Sequence, residues 1–320
     1  MPTGKHLTLL LDMNFTTLIE STAKEGAILI SLLIITSGAA VALEQVFPRD
    51  QLRAIFAHGG FLGSVTTALG SVIFPGTAGG KITLAARFRE AGVGLPQTLI
   101  FILAGSALSL PGIALTLSLG WRLAVLRLCT AVVFGAMVGA FAHIRLRDRL
   151  KKEPPAGWLE AFHPDYCDVR PELEEWEATY PRDAWFRALI ANFRILAPWL
   201  VLSLVIALIL QIAVTPAGLA GFFGKWWSPL FAAASGFPFF FAGGADVPIL
   251  KVMAARGVPL SALVAFMTGA PVVNFPVFLI LGRWLGRRVA ISILVYAWLG
   301  AAALGWIVSL AALILRLSVR

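Results

Sequence analysis

The chain has 320 residues, 58% hydrophobic and 13% charged, with a mean hydropathy of +0.84 and a formal net charge of +9. An ordinary soluble domain is roughly 45–50% apolar and roughly 25% charged, so this composition excludes disorder and a surface wetted all round. Apolar runs of spanning length make the chain an all-α polytopic membrane protein, and the excess Lys and Arg sit in loops beside spans rather than on a nucleic-acid surface.

In chain order, the first long apolar run covers 26–47, after Glu20, Lys24 and Glu25. It is too long for the apolar core of a cleaved leader and reads as a span. Residues 48–58 form a short amphipathic piece, 59–80 an apolar run rich in Gly and broken at Pro75, and 81–91 a short polar helix. The run 95–119 is interrupted at Pro111, and 123–143 carries Arg127. A polar stretch, 144–191, opens on Arg145, Arg147, Arg149, Lys151 and Lys152 and turns acidic through Glu172, Glu174, Glu175 and Glu177. Beyond it come a clean span at 195–214, a broken Gly-rich run at 226–245, a short polar helix at 246–257, an interrupted run at 259–282 with Pro271 and Pro276, and a closing run at 289–315.

These are about eight apolar segments, four on each side of the polar stretch. The expected organisation is a first membrane repeat at 1–143, a cytoplasmic connecting loop at 144–191 and a second repeat at 192–320. The halves match at an offset of about 165: Gly92-Val93-Gly94-Leu95 falls on Gly257-Val258-Pro259-Leu260, Phe101 on Phe266, Pro111 on Pro276, and Gly79 on Gly244. Four full crossings per half make the repeats parallel. If one Gly-rich segment per half re-enters instead, the repeats invert.

Two facing broken segments are the sequence pointer to a central site, because free backbone groups are tolerated at membrane depth only beside protein or a watery cavity. Gly243 and Gly244 precede Asp246, and Pro248 follows. The Asp246 carboxylate is expected either to cap the helix that starts after it or to bind a proton or cation during transport. Its counterpart at the offset is Lys81, which either pairs with it or snorkels to the interface. Asn274 needs partners for its amide, namely freed carbonyls or a solute. With Thr268, Pro271, Ser109 and Ser235 it completes the candidate pathway; the hydroxyls equally fit bonds to their own helices. Arg127 is a weaker candidate, since an arginine near a helix end more often snorkels.

No HExxH, GxSxG or GxxxxGK[ST] motif occurs, His6, His58, His143 and His163 are scattered, and Cys129 and Cys167 form no close pair. A transporter is therefore expected rather than an enzyme, with no metal and no cofactor.

The stretch Gly257-Val258-Pro259, Ala265-Phe266 and Pro271-Val272-Val273-Asn274 resembles the predicted permease family that includes bacterial organoarsenical efflux permeases and related candidate metal exporters. The resemblance implies a multi-pass inner-membrane permease that exports a small solute on an ion gradient, with protons as candidate coupling ions. Gly243, Gly244, Asp246, Pro248, Gly257, Pro259, Pro271 and Asn274 fall in the family's motif region. Arsenical-type members carry cysteines before the short polar helix; here 74–80 and 239–245 have none. A thiolate-held soft cargo is accordingly not expected, and Met253 and Met267 read as core. A channel-like facilitator and a non-transporting scaffold are the alternative readings. The partners expected are the lipid bilayer and the solute, with a homo-oligomer left open.

Overall fold

The computed structural model describes residues 26–35, 60–73, 93–145, 182–239, 241 and 243–314, together with positions 20, 23, 24 and 38. Among these residues the secondary structure is all helical, with no strand. The helices are α1 (Gly26–Ile35), α2 (Gly60–Ile73), α3 (Leu95–Ala107), α4 (Leu110–Leu117), α5 (Trp121–Arg145) and α6 (Arg182–Ala213). They continue with α7 (Pro216–Phe223), α8 (Ser228–Ala234), α9 (Val247–Ala255), α10 (Leu260–Gly269), α11 (Phe275–Leu285) and α12 (Arg287–Ile314).

Proline marks where half of these helices begin. Pro lies at the first or second position of α3, α4, α7, α8, α9 and α11. A missing N–H costs nothing there, because the first turn has no carbonyl to donate to. The breaks expected at Pro111 and Pro276 therefore fall just before those residues, at 108–109 and 270–274. Three restarts also carry a side-chain cap. Ser109 accepts from the Gly112 N–H at 3.1 Å, Thr215 from Gly218 at 3.1 Å and Asn274 from Val277 at 2.9 Å.

Among the described residues, three helical stretches are long and apolar enough to cross a membrane: Leu95–Leu117, Trp121–Arg145 and Arg287–Ile314. Their 23, 25 and 28 residues exceed the roughly 20 that a bilayer core of about 30 Å requires. A fourth arises if α6 and α7 are one span bent by 108°. The expected eight segments are thus represented by three to four clear spans plus shorter apolar helices among the described residues. Two boundaries also differ from expectation. The span read as starting at 195 begins at Arg182, and α7 was not foreseen.

Leu95–Leu117 is enclosed by protein over most of its length, whereas α5 and α12 show about half of theirs. The exposed faces are apolar stripes at helical spacing: Val201, Val205, Ile209 and Ile212 on α6, and Ile291, Val295, Leu299 and Trp306 on α12. Continuous apolar stripes of that length fit hydrocarbon, not water.

Glycine makes the inner contacts close. On α5, Gly135 sits against Ala68 and Ala104, and Gly139 against Ile100 and Ser64, the small-xxx-small spacing that lets helix backbones approach. A Cβ on Gly269 would lie 2.7 Å from the Cα of Ala233, which seats α10 on α8. Indole N–H groups tie α12 to the α8 region, Trp298 to the Leu230 carbonyl at 2.7 Å and Trp306 to that of Trp226 at 2.9 Å.

Candidate functional site

Two chain breaks meet at the centre. One is Leu108-Ser109, between α3 and α4; the other lies between α8 and α9, where the described residues 235–239, 241 and 243–246 are non-helical. Gly243 and Gly244 have φ of +64° and +91°, left-handed values that favour glycine. Gly244 also faces Gly112 so closely that a Cβ on it would lie 2.7 Å from the Gly112 Cα. Two glycines thus let two backbones cross where side chains would hold them apart.

At this crossing lies a buried ion pair. Arg127 Nη1 donates to Asp246 Oδ2 at 2.9 Å and Nη2 to Oδ1 at 3.0 Å. The two side chains are 1% and 0% exposed. The fork matches the carboxylate with two parallel bonds, the strong arrangement for this pair. Arg127 Nε donates to the Ala107 carbonyl at 3.1 Å, and Nη1 also donates to Thr116 Oγ1 at 3.0 Å. The Ala107 carbonyl is available because its helical partner four residues on is Pro111, which has no N–H. Thr116 passes its own proton to the Gly112 carbonyl at 2.6 Å. One guanidinium therefore gathers a carbonyl from α3, a hydroxyl from α4 and a carboxylate at the start of α9.

This geometry corrects two expectations. Asp246 stands at the N-cap position of α9, but its side chain makes no capping bond. Its backbone is helical there (φ −74°, ψ −19°) rather than extended, so the carboxylate does not fold back on the first turn and turns to Arg127. Arg127 does not snorkel; it is among the largest fully buried side chains. Lys81, the other partner considered for Asp246, lies outside the described residues.

A third break, at 270–274 between α10 and α11, resembles the one at Leu108-Ser109 in build. Asn274 is fully buried and works in both directions: its carbonyl oxygen caps α11, and its Nδ2 donates to the Pro271 carbonyl at 2.9 Å. The Phe275 N–H reaches the Phe237 carbonyl at 3.0 Å, joining this break to the one before α9. Ser109 caps α4, and Ser235 donates to the Ala232 carbonyl of its own helix at 2.8 Å. Thr268 is 1% exposed and its hydroxyl has no hydrogen-bond partner among the described residues, so the bond to its own helix is not made. Met253 and Met267 are buried in the core.

A cavity of about 390 Å³ ends within one residue of Asp246, with Val247 and Pro248 in its wall. Faces of α1, α6 and α9 and the turn after α4 enclose it. It lies toward the end of α6 and the start of α5, away from the ends that the 146–181 connection joins. Asp246 itself is sealed from it. Among the described residues, no group of three or more His, Cys, Asp or Glu side chains converges on a point.

The sequence pointed to Asp246 through its Gly-Gly break and following proline, and to Asn274 through its flanking prolines. It undervalued Arg127 and passed over Thr116 and Gly112. The missed signal was available in part, because Arg127 sits in a run that otherwise holds no charge from Leu123 to Ala142.

No curated protein and no solved structure gives a significant match. A family model described as predicted permease matches residues 12–310. That match covers nearly the whole chain and agrees with its long apolar helices, and the chain belongs to the predicted permease family.

Proposed function

We propose that this membrane protein is an ion-coupled secondary transporter that exports a small solute through the crossing of its two broken segments. The observation that carries this reading is the Arg127–Asp246 pair. It is buried, bidentate, and bridges residues 119 apart in sequence beside the close approach of Gly244 to Gly112. Buried ionisable residues at membrane depth are expensive and mark transport paths more often than scaffolds. Protonation of Asp246 would cancel one charge and release Arg127, which gives an ion a means to move the two segments apart.

The arrangement also favours two inverted repeats. Helices α5 and α12, 165 residues apart, run antiparallel: Phe141 stacks on Tyr296 with centroids 4.2 Å apart, and Gly300 lies against Met137 and Phe134. Likewise α3 begins at the end of the molecule where α5 finishes, since Gly139 meets Ile100 while Arg127 meets Ala107. Its counterpart α10 begins at the opposite end, just after Arg256 bonds to the Val214 and Gln211 carbonyls at the end of α6. Antiparallel counterparts require an odd number of crossings per half, with the α2 and α8 segments re-entering. In this reading the membrane is a bacterial-type inner membrane, and the basic start of the connecting loop lies in the cytoplasm.

The test is flux of a panel of labelled small solutes into proteoliposomes under an imposed proton gradient. Gradient-driven accumulation of a solute, lost in Asp246→Asn, is the expected result. Flux indifferent to the gradient would make the protein a channel, and no flux of any solute would favour a scaffold.

A further inference from the structure

We infer that α9 is the moving wall of the cavity, and that Arg256 is the positioning residue that clasps its far end to α6. This deepens the transport reading by naming the part that moves, and rests on that reading for what the motion achieves.

The end of α6 needs an outside partner. The last carbonyls of a helix have no donor within it. Thr215, just beyond, is extended and caps α7, and Pro216 has no N–H to offer. The last turn of α6 carries no basic side chain of its own. The donor comes from another element: Arg256 donates to the Val214 carbonyl at 2.6 Å and to the Gln211 carbonyl at 2.8 Å. A guanidinium there also answers the negative end of α6.

Arg256 has no such task on its own helix. The Gly257 N–H donates to the Ala254 carbonyl at 3.2 Å and the Val258 N–H to the Met253 carbonyl at 3.0 Å, so backbone alone closes α9. This closure runs through Gly257 at φ +73°. A Cβ on Gly257 would meet nothing within 4 Å, so the glycine serves the turn and not a close contact.

The nine residues of α9 thus form a rod between two glycine turns, Gly243-Gly244 and Gly257. The rod is about 14 Å long at 1.5 Å per residue. A polar clasp holds each end: the Arg127–Asp246 pair at the start and Arg256 on α6 at the finish. Between the clasps, Val247, Pro248, Val252 and Ala255 line the cavity, opposite Leu204 and Ala207 of α6. On its other side α9 buries Leu250 and Met253 in the core. That contact is apolar and non-directional, so it resists a swing less than a hydrogen bond does. A rod with open volume along one face and a left-handed glycine beside each end has both the room and the pivots to move, because hinges are element-terminal residues that absorb backbone change. Releasing one clasp leaves the other as the pivot.

The test is a distance measurement by double electron–electron resonance on the full-length protein in nanodiscs, with Cys129 and Cys167 replaced by serine. Spin labels go on Ala254→Cys of α9 and Val201→Cys of α6, both exposed positions. Arg256→Met should add a second population displaced by about 2–5 Å, the range between a helix shift and a one-turn ratchet. Arg256→Lys keeps the charge and a donor on a similar stem, so it should show the same population at lower occupancy. A static cap would behave otherwise: thermal stability would fall and the distance would stay. An unmoved distance in Arg256→Met therefore overturns the inference. If Arg256→Met is not monodisperse, Arg256→Lys decides alone, and an unmoved distance there overturns it equally. The measurement involves no solute and no gradient. A displaced population in a protein that moves no solute would keep the clasp and count against the transport reading. Gradient-driven flux with unmoved distances would do the reverse.

Discussion

The two helix–break–helix units, Leu95–Leu117 and Leu260–Leu285, share a backbone plan and differ in chemistry. Each ends its first helix early, passes through an extended residue that caps the next helix (Ser109 or Asn274), and places proline at the restart. In the first unit, the carbonyl orphaned by Pro111 belongs to Ala107 and goes to Arg127. In the second, the carbonyl orphaned by Pro276 belongs to Val272 and goes to the backbone N–H of Asn274 at 3.0 Å. At the offset of 165, Thr116 corresponds to Leu281, Gly112 to Val277 and Arg127 to Ser292. Leu281 and Val277 are fully buried, and Ser292 is exposed and bonds to its own helix at Arg288. One plan thus supports an ion pair in one unit and an apolar plug in the other. The backbone geometry depends on cap and proline, and the charge is added to it.

The sharpest way to break this comparison is topological. If the units are inverted copies, a reporter fused after residue 314 and one inserted within 146–181 must report opposite faces of the membrane. Four full crossings per half would place both on the same face. The outcome is all-or-none and needs no solute.

The next largest effect is energetic. Replacing either Arg127 or Asp246 alone by Leu strands a buried charge, and a loss of about 3–5 kcal/mol is expected, read as collapse of monodispersity and thermal stability in detergent. The double change Arg127→Met with Asp246→Leu should recover much of the fold while abolishing flux. Ser292→Ala, at the counterpart position, should stay within about 0.5 kcal/mol of wild type.

Gly244 and Gly286 separate crossing from conformation. Their φ values are +91° and +88°, but a Cβ on Gly244 would lie 2.7 Å from Gly112, and one on Gly286 would meet nothing within 4 Å. Gly286→Ala should therefore cost about 1–2 kcal/mol from backbone strain alone. Gly244→Ala should cost clearly more, because the two breaks must part. Equal losses would remove the close crossing from the account. The smallest effects are those of the caps: Ser109→Ala should cost about 1 kcal/mol. Asn274→Ala should cost more than Ser109→Ala, since it leaves both the Val277 N–H and the Pro271 carbonyl unmet.

Much of this plan was legible in the residues. Gly-Gly before Asp246 and Pro beside Asn274 announce broken helices, because their backbone consequences are local. The helix α7 was missed although Thr215-Pro216 is a cap and a first-turn proline, since the helix that follows is too short to show a period. Arg127 was undervalued for a deeper reason. Whether an arginine in the second turn of a span reaches out to headgroups or inward depends on what stands opposite. Here that is Asp246, 119 residues away. No local pattern encodes such a contact.

If the Arg127–Asp246 pair ties the two broken segments together, releasing it moves them and changes access to the cavity. This can be measured without a solute. With Cys129 and Cys167 replaced by serine, the cavity residue Ser118→Cys is labelled by a membrane-impermeant maleimide from the cavity side. Adding Asp246→Asn should slow that labelling several-fold as the other state fills. An unchanged rate in a well-folded Asp246→Asn variant would show the pair to be a static strut and would contradict the account.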